Sequence, residues 1–207
     1  MNRMLRENGR VLAFGAHPDD LEVGAGGLLA RFVEDGADVT LCVVCVPNQL
    51  ETRMAEAKRA AEIIGAKLLF LNEKPTRVED VPMHELVRRF DHVVGDVQPD
   101  LVITHALNDL HWDHSLVHRA TVSALRRTPC DLLAYMSSPE MNASTRSFGQ
   151  CFADITATID IKLQAIAAHA SQMARFDVES SRDLARGMGR IAGYTYAEVY
   201  EVMRMRV

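Results

Sequence analysis

Short apolar runs alternate with longer amphipathic ones through the first two-thirds of this chain, and that rhythm narrows its fold more than any other feature. RVLAFGA (10–16), DVTLCVVCV (38–46), KLLFL (67–71), DLVITH (100–105) and DLLAY (131–135) read as strands. Helical patterns separate them at GAGGLLARFVEDG (24–36), ETRMAEAKRAAEIIG (51–65), MHELVRRFDHVVGDV (83–97) and DHSLVHRATVSALRR (113–127). Gly36 and Gly65 stand where helices commonly stop, and Asp113 suits an N-cap. Strands that alternate with helices pair in parallel, and near-continuous apolar strands are buried on both faces. The expected fold is therefore α/β: a Rossmann-like three-layer sandwich, with a mostly parallel sheet and helices on both faces.

Beyond the fifth strand the pattern weakens. Residues 136–157 read as irregular apart from a strand-like CFADIT, and IDIKLQAIAAHASQM (159–173) reads as a further helix. The tail from 174 mixes charged residues with a glycine cluster (186–193) before YAEVYEVMRMR. No repeat or linker marks a boundary, and 207 residues suit one domain spanning 1–207. A net charge of -5 provides no basic field for nucleic acid or anionic lipid. No apolar run approaches the roughly 18 residues of a membrane span. The N-terminal MNRMLRENGR lacks a signal-peptide core. A soluble, cytoplasmic protein without membrane insertion is expected. Cys42 and Cys45 form a C-x-x-C string inside an apolar strand, where residues three apart face opposite ways; they read as core, not as a redox or metal pair.

Chemistry concentrates at two strand ends. The first strand runs into A-H-P-D-D-L-E (16–22), and the fourth into H-A-L-N-D-L-H-W-D-H (105–114). Ligands of open α/β sheets bind outside the carboxyl ends of the strands, where the strand order reverses. A sheet wound outward in both directions from its first strand makes the first and fourth strands neighbours, so both clusters face one crevice. Asp19 and Asp20 are adjacent carboxylates that repel unless a cation or donors relieve them. Two histidines and a carboxylate on one zinc ion leave an open position for water, the arrangement of a catalytic site, and such water loses its proton near neutral pH. That suits amide hydrolysis. H-P-D-D alone could be only a proline turn with helix-capping aspartates, and neither cluster alone settles the matter; two clusters on the strand ends that the topology pairs favour a site.

At these residues the sequence resembles the LmbE/PIG-L family of zinc-dependent N-acetylglucosamine deacetylases. The first motif, A-H-P-D-D-x-E, is complete in Ala16, His17, Pro18, Asp19, Asp20 and Glu22. The second, N-D-x-H-x-D-H, stands as Asn108, Asp109, His111, Asp113 and His114. Arg53, Glu56, Ala60 and Ile64-Gly65 follow the family's R-x-x-E-x-x-x-A helix. F-x-D-I-T (152–156), Lys162, Ser171-Gln172 and YAEVY (196–200) extend the likeness over most of the chain. The resemblance implies that His17, Asp20 and His114 hold zinc, or another divalent ion. It implies that Asp19 is the general base for the metal's water and that His111 stabilises the oxyanion or protonates the leaving amine. Asp113 is then expected to orient His111, Arg53 to contact substrate or lie on a solvated helix face, and Glu22 to support the architecture. A small N-acylated amino-sugar substrate and a homo-oligomer are further implications.

The chain departs from the family at PNQLE (47–51), where a glycine-containing turn is usual, and at Trp112, where proline is common. Both lie where substrate approaches and leave its identity open; Trp112 is expected to pack, the other reading being a stacking face for a sugar. His118, His84, His92, His169 and His105 read as structural. Gly24, Gly26 and Gly27 lack the third glycine of a dinucleotide loop. A deacylase for non-sugar amides and a catalytically silent ligand-binding protein of the same fold remain the alternatives.

Overall fold

The computed structural model describes residues 8–136, 149–173 and 177–206. Among them run strands β1 (Arg10–Gly15), β2 (Asp38–Val43), β3 (Lys67–Phe70), β4 (Leu101–His105), β5 (Asp131–Tyr135), β6 (Cys151–Asp154) and β7 (Ala197–Arg204). The α-helices are α1 (Asp20–Glu34), α2 (Leu50–Ile64), α3 (Met83–Val97), α4 (Trp112–Ala124), α5 (Ile159–Ala167) and α6 (Val178–Ala192). All seven strands join one sheet in the order β3-β2-β1-β4-β5-β7-β6. β1 to β5 pair in parallel, whereas β7 runs antiparallel to β5 and β6. The mostly parallel α/β sandwich is the expected one, and β1 and β4 are neighbours with Val11 opposite Leu101. The order reverses between them, so the carboxyl ends of β1 and β4 open the crevice.

Alternation of side chains divides the core. Val11, Ala13, Leu41, Leu101, Ile103 and Leu133 face α1, α2 and α5, while Leu12, Phe14, Cys42, Val102 and Leu132 face α3 and α4. On the second face Phe14 and Phe90 stack with centroids 4.2 Å apart. Burial on both faces explains why these strands are apolar throughout.

Several elements differ from the sequence expectation. α1 begins at Asp20, inside the first motif, not at Gly24. Its glycines weaken helix propensity but admit neighbours: a Cβ at Gly24 would collide with the Tyr135 ring, and one at Gly27 would stand 2.8 Å from Ile155. The N-cap of α4 is His111, with Asp113 inside the first turn. The helix expected over 159–173 ends at Ala167, followed by a 3-10 turn at Ala170–Gln172. α6 and β7 occupy the tail that carried no assignment. Cys42 and Cys45 are buried and free as expected, yet β2 ends at Val43 and both pack in one cluster. Of the segment expected to be irregular, 137–148 lies outside the described residues, as do residues 1–7 of the N-terminus.

Candidate active site

The chain leaves β1 at Gly15 and turns into α1 through Asp19, whose φ of 99° is unfavourable for a residue with a Cβ. Strain of this kind clusters at functional sites. The Asp20 carboxylate fixes the turn by accepting the His17 backbone N–H at 2.7 Å. β4 delivers the other half. His105 ends that strand, Asp109 accepts the backbone N–H of His111 at 3.0 Å, and His111 Nδ1 accepts the backbone N–H of Asp113 at 3.3 Å.

The two strand ends meet around Asp20. Its Oδ1 lies 3.3 Å from His114 Nε2, and its Oδ2 lies 3.6 Å from His17 Nδ1. His17, Asp20 and His114 are buried and can bring one ligand atom each within 4.8 Å of one another. Asp109 stands 2.9 Å from His114 Nδ1, which leaves Nε2 to face Asp20 and gives the second-sphere support usual for a ligating imidazole. His105, Asp109 and His114 form a second possible group. His105 Nε2, however, already accepts the Ala16 N–H at 3.0 Å, so the first group has the freer donors. Its two imidazoles and one carboxylate suit a divalent ion with an open position.

Charges in this cluster are strongly perturbed. Burial and the neighbouring Asp20 push Asp19 up to about 7, against the pull of Arg53 and His169. Burial also opposes the Asp20 charge, but His114 and His105 hold its carboxyl well below the usual range. His17 reaches about 9 because hydrogen bonds to Asp113 and Asp20 outweigh burial. His114 reaches about 10 because Asp20 and Asp109 do the same. The His105 imidazole is driven down to about 4 by burial and His114. Two adjacent carboxylates thus have opposite tendencies, the pattern by which environments divide acid and base roles.

Arg53 is buried against the turn. Its Nη2 donates to Pro18 O at 2.9 Å and to Asp19 Oδ2 at 3.2 Å. The solvated-face reading is thereby excluded, and its observed partner is Asp19. The Asp113 carboxylate does not orient His111 as expected: its Oδ2 lies 2.9 Å from His17 Nε2, and its backbone N–H meets His111. Trp112 is not packed but 58% exposed. His118 is structural as expected, with Nδ1 2.7 Å from His105 O.

Sequence reasoning missed three members of the cluster. His105 stacks on His114 with centroids 3.9 Å apart. Asp109 was visible within the second motif but had no role assigned. His169, fully buried, stands 3.5 Å from Glu22 Oε1 behind Asp19; only the fold brings it there.

The sequence matches the family described as PIG-L: GlcNAc-PI de-N-acetylase over residues 12–125. It is 30% identical over 135 residues to the uncharacterized deacetylase YaiS of Escherichia coli, covering 60% of this chain and 72% of the other. To a probable N-acetyl-alpha-D-glucosaminyl L-malate deacetylase 2 of Bacillus cereus it is 26% identical over 184 residues, covering 78% and 83%. Among solved structures, GalB of Pseudomonas putida, a 4-carboxy-2-hydroxymuconate hydratase, superposes with a TM-score of 0.81 at 25% identity, covering 96% and 98%.

Proposed function

The chain belongs to the PIG-L family, a family of amide hydrolases, and from that premise we propose that it removes the N-acetyl group of an N-acetylglucosamine-containing substrate. The observation that carries this reading is the buried Asp19–Asp20 pair, one carboxylate poised near neutrality and the other committed to two imidazoles. His17, Asp20 and His114 would hold the metal, zinc by donor chemistry, although the set also accepts other divalent ions. When bound, the ion supplies a Lewis acid that polarises the acyl carbonyl and acidifies a water.

The protein's own groups do the rest. Asp19 accepts a proton from the attacking water, and a carboxyl near 7 is well matched to that task. Arg53 keeps it oriented through Nη2. His111 Nδ1 is engaged by the Asp113 N–H, so the neutral ring presents its Nε2 N–H as a donor. Burial and the neighbouring imidazoles of His114 and His17 lower its pKa, which favours that neutral form. This supports stabilisation of the oxyanion as its role. Water adds to the carbonyl, the carbon–nitrogen bond breaks, acetate leaves, and the proton held on Asp19 passes to the freed amine. Asp113 positions His17, and Asp109 positions His114. Residues 1–207 would act as one catalytic domain, cytoplasmic and homo-oligomeric; among the described residues no helix is long and apolar enough to cross a membrane.

Acetate release from N-acetylglucosamine glycosides and from plain N-alkyl acetamides, with zinc and after chelation, tests this. Zinc-dependent release from the sugars alone supports it. Equal release from plain amides points to the non-sugar amidase, and metal binding without release to a silent protein.

A further inference from the structure

The segment that carries His111 is bordered by exposed apolar side chains. Leu107, Leu110 and Trp112 are 39%, 52% and 58% exposed, although Asp109 between them is buried. Trp112 is the only tryptophan of the chain. A lone exposed apolar residue needs no explanation, but three within six residues, on the segment that carries the site's exposed imidazole, concentrate exposed apolar surface there. The segment is also held in place. Ser115 Oγ donates to Leu107 O at 3.2 Å and to Asp109 O at 3.4 Å, and the Asp109 N–H bonds Ala106 O at 3.3 Å. Besides His111, the other exposed polar side chain between 107 and 112 is Asn108, a neutral amide.

We infer that Leu107, Leu110 and Trp112 form a subsite for an apolar alkyl or aryl substituent of the substrate, next to the amide that is cleaved. This rests on the deacylase reading and narrows it, because three exposed apolar side chains gain from being covered by an apolar substituent and not by a charged one. The substituent can stand on the sugar's anomeric oxygen or extend the acyl chain; both present the same chemistry. A tenfold preference, about 1.4 kcal/mol, requires roughly 60 Å² of buried apolar surface at about 25 cal/mol/Å². One indole face and two leucines suffice for that.

The test compares kcat/KM for methyl, butyl, octyl and phenyl β-glycosides of N-acetylglucosamine, and for methyl glucosaminides bearing acetyl, butanoyl or octanoyl groups. At least one series is expected to rise tenfold or more from its smallest to its most apolar member. The series that rises identifies the position of the substituent. In Trp112→Ala, and separately in Leu110→Ser, the rise should shrink below threefold while the melting temperature holds. The sole tryptophan supplies a readout that needs no turnover: its fluorescence should change saturably with octyl but not with methyl glycoside. Turnover with a flat series and a silent fluorescence signal overturns the subsite and leaves the deacylase standing. No turnover on any member, with a saturable signal from apolar glycosides, refutes the deacylase while the binding surface survives. If Trp112→Ala dissociates an oligomer and fluorescence ignores the ligands, the patch is a contact between copies and the inference falls.

Discussion

Removing Lys162 should unsettle the helix that begins with Asp20. Its ammonium is 2.5 Å from Glu198 Oε1 and donates to Val23 O at 2.8 Å. Glu198 in turn accepts the N–H groups of Gly27 and Leu28 at 2.8 and 2.9 Å and the Tyr200 hydroxyl at 2.7 Å. Both charged side chains are almost wholly buried. The pair therefore ties β7 and α5 to the middle of α1, across the rung where an α-helix joins Gly27 N–H to Val23 O. Lys162→Met leaves a buried carboxylate without its cation, at a cost of about 3–5 kcal/mol. For 207 residues each kcal/mol lowers Tm by about 2–4 °C, so a fall of roughly 6–20 °C is expected. Glu198→Leu should cost at least as much, because it orphans several buried donors. The double variant removes both buried charges together, so its cost should fall well below the sum. Thermal and urea melts followed by circular dichroism measure all three. A single variant that costs less than about 1 kcal/mol, or strictly additive costs, would refute the reasoning.

Three other outcomes follow from the site. Arg53→Met removes the cation that favours ionised Asp19, so the acidic limb of kcat/KM should move to higher pH and the rate at neutrality fall at least about tenfold; an unmoved limb contradicts this role. Asp109→Asn takes away the partner of His114 Nδ1 and should weaken zinc affinity about 10- to 100-fold in chelator competition, whereas unchanged affinity removes Asp109 from the design. In the metal-free protein His17 and His114 titrate near 9 and 10. Both hold protons at neutrality, and zinc uptake at pH 7 should release about two per ion, with affinity rising as pH rises towards those values. Calorimetry in buffers of different ionisation enthalpy measures that number, and zero release would contradict the assigned ligands.

The first five strands were legible because each is an apolar run set between helical patterns; burial on both faces writes itself into β1, β2, β4 and β5, while β3, at the sheet edge, keeps the apolar run but is partly exposed. β7 was not. Glu198 sits at a buried position within it, so its alternation is broken by the charge that meets Lys162. Its partners, β5 and β6, are distant in sequence and antiparallel. The start of α1 was placed late because residues 16–22 read as a strand-end turn, whereas the helix begins inside that motif at Asp20; its Gly24, Gly26 and Gly27 make room for the Tyr135 ring, Ile155 and Lys162, which only folding brings near. At the site, the adjacent aspartates and the histidines of two motifs were visible as chemistry. The partnership of Asp113 with His17, the Arg53 contact to Asp19 and the stacking of His105 on His114 depend on side-chain direction, which residue spacing does not encode.

The most direct test of the account titrates zinc into metal-free protein and quantifies free amine and acetate from an N-acetylglucosamine glycoside, for wild type and Asp19→Asn. The account predicts equal amounts of both products, with activity rising to a plateau at about one equivalent of zinc. The variant should bind the same equivalent and release neither product. Full turnover without metal, or wild-type turnover by Asp19→Asn, would contradict it.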